Sequence, residues 1–241
     1  GWLQEGGGGG PPKTWSDAVD AVDANLVQVR GPTTFMADIE KNKTLGNRAT
    51  HLACFWPGLR ALEALADPQA ASTVLPLAEK LLDACVAAYD ATPTNLAPEA
   101  WHVNDDGSIE LGPSRHLLRP ETIESVFWMY RATRKQKWVT AAARIWDALQ
   151  RHAAIDGGGF AALGQIHKQT PARVDKMDSW FLSETLKYFY LIFDDADGGD
   201  ELLPLSEWVL TTEAHPVPRF GGARDRVGTA RQQKTWSIDV P

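Results

Sequence analysis

The sequence predicts an all-α fold, and three observations carry the prediction. Apolar residues recur at about 3.6-residue spacing in one segment after another, each with a polar face. The connections between these segments are short, and no stretch sustains the apolar and polar alternation of a half-buried strand. Helix pairs follow one another at fairly even intervals without a closely repeated unit, which suggests helical hairpins packed side by side. With 241 residues, 44% of them hydrophobic, the chain can bury the core of one large domain.

Residues 1–14 hold Gly6 to Gly10 and Pro11-Pro12, a flexible leader that can neither form a regular element nor bury apolar area. The domain itself is expected over 15–220. Trp15, Ala18, Val19, Val22, Leu26 and Val29 form the apolar stripe of a first helix, with Ser16, Asp17, Asp20 and Asp23 between them. Gly31-Pro32 ends it, and Thr33 to Ile39 is a short extended candidate. Asn42-Lys43-Thr44 is a glycosylation sequon, meaningful only in a chain that enters the secretory pathway.

The next helix, 50–66, carries His51 and Cys54 one turn apart, with Phe55, Leu59, Leu62 and Leu65 on its apolar side. Another spans 72–90, with Pro76 in its first turn and Leu77, Leu81, Ala84, Cys85 and Ala88 as its stripe. Cys54 and Cys85 are too few for a zinc site alone, which leaves buried thiols or one helix-to-helix disulfide. Leu96-Ala97-Pro98-Glu99 reads as a loop with a placed carboxylate, and Asp105 to Ser108 as a turn.

Further along, Trp138 to Gln150 is amphipathic. Asp156 to Phe160 is a glycine loop that lacks the strand and spacing of a phosphate cradle. A helix over Asp178 to Phe193 sets Trp180, Glu184, Lys187 and Tyr188 on one side, with Phe181, Leu182, Thr185, Phe189 and Ile192 on the other. Leu202 to Leu210 is predicted as a last short apolar helix. From Arg219 the chain carries Gly, Arg and Gln without periodicity, so 221–241 is expected to be an unstructured tail.

The charge balance excludes some partners. A net charge of -7 and a pI near 5.4 lack the basic footprint that nucleic acid or an anionic membrane surface requires. No apolar run approaches membrane-spanning length. The chain starts at Gly1 with no targeting signal, so an upstream part is expected to be missing, and any membrane anchor would lie there. Ten Trp residues suit a carbohydrate site and a helical core equally.

The stretch His116 to Ser125 is the one the rest is arranged around. Pro120 suits the first helical position, and Glu121 and Glu124 favour the positive end of the helix dipole. Glu121, Glu124 and Trp128 then fall on one stripe, while Val126, Phe127 and Tyr130 face elsewhere. A sugar site wants that grouping: carboxylates to move protons, an aromatic to stack on a pyranose face. The alternative is an acidic helix start beside an ordinary core aromatic. His51, Glu99, Arg119, Glu121, Glu184, Thr212 and Glu213 sit mostly at helix ends and loops, and if they converge they form a pit of carboxylates with a cation nearby.

Five segments carry a resemblance: His51 to Phe55, Ala97-Pro98-Glu99, Leu118 to Ser125, Asp175 to Tyr188, and Thr212-Glu213-Ala214-His215-Pro216. In order, they resemble the motifs of the class I α-1,2-mannosidases, glycoside hydrolase family 47. The resemblance runs from about Trp15 to Phe220 and covers only the C-terminal half of that family's catalytic domain. It implies an (α/α)7 barrel, a Ca²⁺ ion at the barrel floor, and inverting hydrolysis of terminal α-1,2-linked mannose from high-mannose N-glycans. It also implies the lumen of the secretory pathway, endoplasmic reticulum or Golgi, or secretion.

By motif, Glu121 looks like the carboxylate that activates water, and Thr212 like the direct Ca²⁺ ligand through its hydroxyl and carbonyl oxygens. His51, Glu99, Arg119, Glu124, Glu184 and Glu213 are implied to line the sugar or hold the ion's water shell. Cys54 and Cys85 resemble the family's disulfide. Trp180 stands where the family usually has Phe as the sugar's floor, and Asp178 where it usually has Glu. The larger departure is that the family's general acid and another catalytic carboxylate lie upstream of every matched motif. The chain is therefore expected to be a mannosidase fragment. A catalytically incomplete glycan-binding protein of glycoprotein quality control is the alternative, and a purely structural helical array is the third reading.

Overall fold

A computed structural model describes residues 11–41, 43–198, 203–204 and 206–219. The Gly6 to Gly10 part of the leader, Asn42 of the sequon, Leu202 and Leu205 of the last predicted helix, and the 221–241 tail lie outside the described residues.

The first helix, α1 (Lys13–Leu26), starts directly after Pro12, so Lys13 and Thr14 belong to it and not to the leader. It also stops earlier than the periodicity suggests. Val27–Arg30 is a strand, β1, paired antiparallel with β2 (Thr33–Met36), so that Val29 faces Thr34. Val27 and Val29 fit both a helical stripe and a short strand, and their β-branching favours the strand once a partner is available. Gly31, with φ +49°, makes the turn, and a Cβ there would run into the Asp106 carbonyl.

After β3 (Arg48–Thr50) a single tight turn, Leu52–Cys54, leads into α2 (Phe55–Ala66). The predicted 50–66 helix is thus shortened at its start, because Thr50 pairs in a sheet and His51 is held by the Glu99 carbonyl. α3 (Ala71–Asp90) matches its prediction closely, with Pro76 accommodated inside it. Cys54 and Cys85 are joined in a disulfide, with Cα atoms 6.0 Å apart, which closes the choice left open by composition. β4 (Ala100–Val103) and β5 (Ile109–Leu111) complete a three-stranded antiparallel sheet with β3.

A two-residue strand, β6 (Arg115–His116), precedes α4 (Glu121–Thr133), the centre of the core. Ile123 to Tyr130 are all buried, so Val126, Phe127 and Tyr130 are as enclosed as the Glu124 and Trp128 side. α2, α3 and the later helices α5 (Gln136–His152) and α6 (Leu186–Ala196) all contact α4. The α2–α4 approach is the tightest: a Cβ on Gly58 would lie 2.6 Å from Ser125 Oγ and 2.7 Å from Ser125 Cα. The Gly58 N–H donates to Ser125 Oγ at 2.8 Å, and that hydroxyl donates to the Cys54 carbonyl.

β7 (Ala162–Gly164) and β8 (Ala172–Val174) form a second three-stranded sheet with β6. The predicted helix from Asp178 to Phe193 contains a wide π turn at Phe181–Thr185 before α6. An extra residue per turn slips the phase of the stripe. Leu182, expected on the apolar side, is 57% exposed, and Tyr188, expected beside Glu184, is fully buried. The predicted last helix is overturned as well: β9 (Trp208–Leu210) pairs with β10 (Pro216–Pro218) in a hairpin.

Helices therefore build the core, as expected of an all-α chain, and strands of at most four residues tie their ends. No helix among the described residues is long and apolar enough to cross a membrane.

Candidate active site

The site forms where the chain leaves β6 and enters α4. Pro120 stands just before the first helical residue, one position earlier than expected, and Glu121 opens the helix. Leu118 takes φ +60°, a left-handed conformation that costs a branched side chain about 1–2 kcal/mol. The Thr185 hydroxyl donates to the Leu118 carbonyl at 2.8 Å and the Trp180 indole N–H to the Leu117 carbonyl at 3.1 Å, so the π turn and the residue that precedes it hold this reversal in place. Arg119 and Glu121 consequently meet, with Nη1 4.0 Å from Oε1.

His51 lies against the other oxygen of Glu121. Its Nδ1 is 2.8 Å from Glu121 Oε2, and its Nε2 is 2.7 Å from the Tyr89 hydroxyl. Burial alone pushes the Glu121 pKa up. The hydrogen bond and electrostatic attraction of His51, the residue's own backbone N–H at the helix start, and Arg119 together outweigh burial and hold it below the ordinary value. Glu121 is thus an ionised carboxylate with 14% of its side chain exposed.

Arg119 is fixed on two more sides. Its Nε donates to Glu99 Oε2 at 2.5 Å, and its guanidinium carbon stands 5.2 Å from the Trp180 ring centroid. Lys176 approaches the same ring, with Nζ at 5.9 Å. One turn into α4, Glu124 behaves oppositely to Glu121. Burial, then the nearby Glu184 and Glu121 charges, raise its pKa to about 8 against the hydrogen bonds from Tyr188 and Trp128. The Tyr188 hydroxyl donates to Glu124 Oε1 at 2.9 Å.

Glu184 sits in the π turn, half-buried, its pKa raised by burial and by the charges of Glu121 and Glu213, with Lys187 and His215 opposing. Thr212 and Glu213 occupy the exposed tip of the β9–β10 hairpin. The Thr211 N–H donates to the His215 carbonyl at 2.9 Å, and Lys187 Nζ donates to the Ala214 carbonyl at 2.7 Å. Among the described residues no three His, Cys, Asp or Glu side chains gather closely enough to cage a metal. Thr212, Glu184 and Glu213 offer oxygen donors at this end, the atom type that a hard cation takes, with Lys187 and His215 beside them.

The expected residues converge in part. Glu99, Arg119, Glu121, His51 and Trp180 form one connected group, Glu184 and Glu124 are electrostatically joined to it, and Glu213 reaches it through Glu184. Thr212 stands at the hairpin tip next to Glu213. Sequence reasoning missed Tyr89 and Thr122, which face His51, although Tyr89 was visible as a polar end one turn beyond Cys85 on an apolar stripe.

Comparison with known proteins gives this geometry a family. The model of glycosyl hydrolase family 47 matches residues 8–219. The mannosyl-oligosaccharide alpha-1,2-mannosidase IA of Spodoptera frugiperda is 34% identical over 226 residues, covering 91% of this chain and 33% of the relative. The human mannosyl-oligosaccharide 1,2-alpha-mannosidase IB is 37% identical over 216 residues, 86% of this chain and 32% of the relative. The mouse endoplasmic reticulum mannosyl-oligosaccharide 1,2-alpha-mannosidase is 34% identical over 92% of this chain and 34% of its own length. The chain thus spans about a third of the length of these curated relatives. The solved structure of an alpha-1,2-mannosidase from Trichoderma reesei superposes with a TM-score of 0.73 at 23% identity, covering 85% of this chain and 46% of that one, which bears out a partial α/α barrel. On the strength of the family match and these relatives, the chain belongs to glycosyl hydrolase family 47.

Proposed function

We propose that this chain is part of a mannosyl-oligosaccharide 1,2-α-mannosidase, which removes terminal α-1,2-linked mannose from high-mannose N-glycans with inversion. The observation that carries the reading is the ionised Glu121 at the start of α4, oriented by His51 on one oxygen and faced by Arg119 on the other. An inverting glycosidase needs such a base to take a proton from water on the far side of the sugar. Arg119, locked by Glu99 and Trp180, supplies a fixed cation for sugar hydroxyls, and Trp180 offers an aromatic face for the ring.

The leaving oxygen needs a separate acid, at a carboxyl-to-carboxyl distance of about 6.5–9.5 Å in inverting enzymes. We assign that acid to the part of the relatives' length that this chain does not span. Thr212, through its hydroxyl and carbonyl oxygens, would hold Ca²⁺, with Glu184 and Glu213 on its water shell, and the ion would fix the attacking water and sugar hydroxyls. The disulfide agrees with a lumenal or secreted protein of the endoplasmic reticulum or Golgi.

The test is mannose release from an α-1,2-linked oligosaccharide. The isolated 241-residue chain is expected to release essentially none, and addition of the upstream half is expected to restore it. A chain that binds mannose in a calcium-dependent way, yet stays inactive when completed, is instead the glycan-binding protein of quality control.

A further inference from the structure

Tyr89 belongs to none of the matched motifs, yet its hydroxyl completes a chain of hydrogen bonds that ends on Glu121. The geometry points to Tyr89 as a positioning residue for the base. Its O–H donates to His51 Nε2 and, together with the Glu121 carboxylate on the other side of the ring, keeps the ring proton on Nδ1, so that Nδ1–H holds Glu121 Oε2 while Oε1 stays available to water. This assignment rests on Glu121 being the base.

The proton count requires a donor at Nε2. A carboxylate can only accept, so the nitrogen 2.8 Å from Glu121 Oε2 carries the hydrogen, and in a neutral imidazole the opposite nitrogen is then an acceptor. Two hydroxyls reach it: Tyr89 at 2.7 Å and Thr122 at 3.3 Å. The Tyr89 hydroxyl is the closer, and burial pushes its pKa well up, so it keeps its proton to donate. The remaining neighbour is His116, with ring centroids 6.4 Å from His51 and 6.1 Å from Tyr89. Burial pushes the His116 pKa down to about 4, despite its hydrogen bond to the Ala97 carbonyl, so at neutral pH it brings no charge to the cluster.

Without the Tyr89 proton, the buried Nε2 lone pair has only the Thr122 hydroxyl at 3.3 Å to fill it, and the tautomer that turns the Nδ1 lone pair toward Glu121, acceptor against acceptor, gains population. The backbone is arranged to keep the pair together. Tyr89 follows Cys85 by one turn of α3 and His51 precedes Cys54 by one turn, so the disulfide clamps the same two segments that this hydrogen bond joins.

The experiment is side-chain ¹⁵N NMR of His51 in the 241-residue chain, which needs neither substrate nor activity. Neutral His51 is expected to show a pyrrole-type Nδ1 and a pyridine-type Nε2. Tyr89→Phe, which removes one hydroxyl, is expected to raise the share of molecules with the proton on Nε2, whereas Thr122→Val is expected to leave the tautomer balance as it is. A wild-type proton on Nε2 overturns the proposal even if Tyr89→Phe fails to fold, and so does a tautomer unchanged by Tyr89→Phe or moved by Thr122→Val. In the completed enzyme, Tyr89→Phe is expected to lower kcat roughly 10- to 100-fold, as loss of an orienting partner commonly does, with KM nearly unchanged. The acid limb of the pH profile should also move upward; a profile that does not move assigns Tyr89 a merely structural role. An unchanged tautomer defeats the role of Tyr89 alone, whereas full activity of Glu121→Gln defeats the base.

Discussion

Glu124→Gln tests the electrostatics of the site through stability alone. The folded pKa of Glu124 is raised to about 8 from an ordinary 4.5, so the folded chain holds a proton that the unfolded chain releases between those values. The carboxyl is harmless below about pH 4.5, and its destabilising effect grows as pH rises, reaching its full size near pH 8. Between pH 5 and pH 8 the linkage amounts to about 1.36 kcal/mol per pH unit, about 4 kcal/mol as a ceiling. Gln keeps the side-chain volume and an acceptor for the Tyr188 hydroxyl 2.9 Å away, though its NH₂ brings a fixed cost against Trp128 that does not depend on pH. Urea unfolding at both pH values cancels that fixed part. The variant is expected to gain about 2–4 kcal/mol relative to wild type on going from pH 5 to pH 8, with similar m-values. A difference constant to within about 0.5 kcal/mol would mean that Glu124 is ionised in the folded chain, and would refute a carboxyl held protonated by burial.

Three other outcomes are expected. Unreduced peptide mass spectrometry should recover Cys54 and Cys85 linked, and replacing both by Ser should cost roughly 3–4 kcal/mol by closure of the intervening loop; two alkylatable thiols in secreted material contradict this. Gly58→Ala should lower stability by about 1–3 kcal/mol, because the new methyl meets the Ser125 backbone, and an unchanged melting temperature would show the α2–α4 approach to be looser. Calorimetry on the completed enzyme should find that Thr212→Ala weakens calcium binding at least about tenfold, with equal affinity in both proteins removing Thr212 as a ligand.

α3 was legible to within one residue at each end and α5 to within two, because each is a long amphipathic segment whose stripe is decided locally. The failures share a cause: each segment departs from a regular helical period through a turn or a pairing that the stripe does not encode. Val27 to Arg30 became a strand because Thr33 to Met36 and the Asp106 backbone lie beside it. Trp208 to Leu210 pairs with Pro216 to Pro218, and no local pattern announces a strand bounded by two prolines. The π turn at Phe181–Thr185 is likewise invisible to a fixed 3.6-residue period, yet it carries Glu184 and braces Leu118.

The site was legible by residue type and not by arrangement. Glu121 and Glu124 are two carboxylates on one stripe, and nothing in their spacing tells that one is held ionised and the other protonated at neutral pH. That difference comes from His51 and Arg119 at the helix start and from Tyr188 and burial one turn deeper. The motif resemblance supplied the grouping that periodicity could not.

The role proposed for Glu121 is that of the base. Its most direct test is mannose release from an α-1,2-linked oligosaccharide by the completed enzyme and its Glu121→Gln variant, with substrate affinity measured alongside. The amide cannot accept the water's proton, so kcat should fall by roughly 10²- to 10⁴-fold while binding changes little. Equal kcat in both proteins would contradict the assignment.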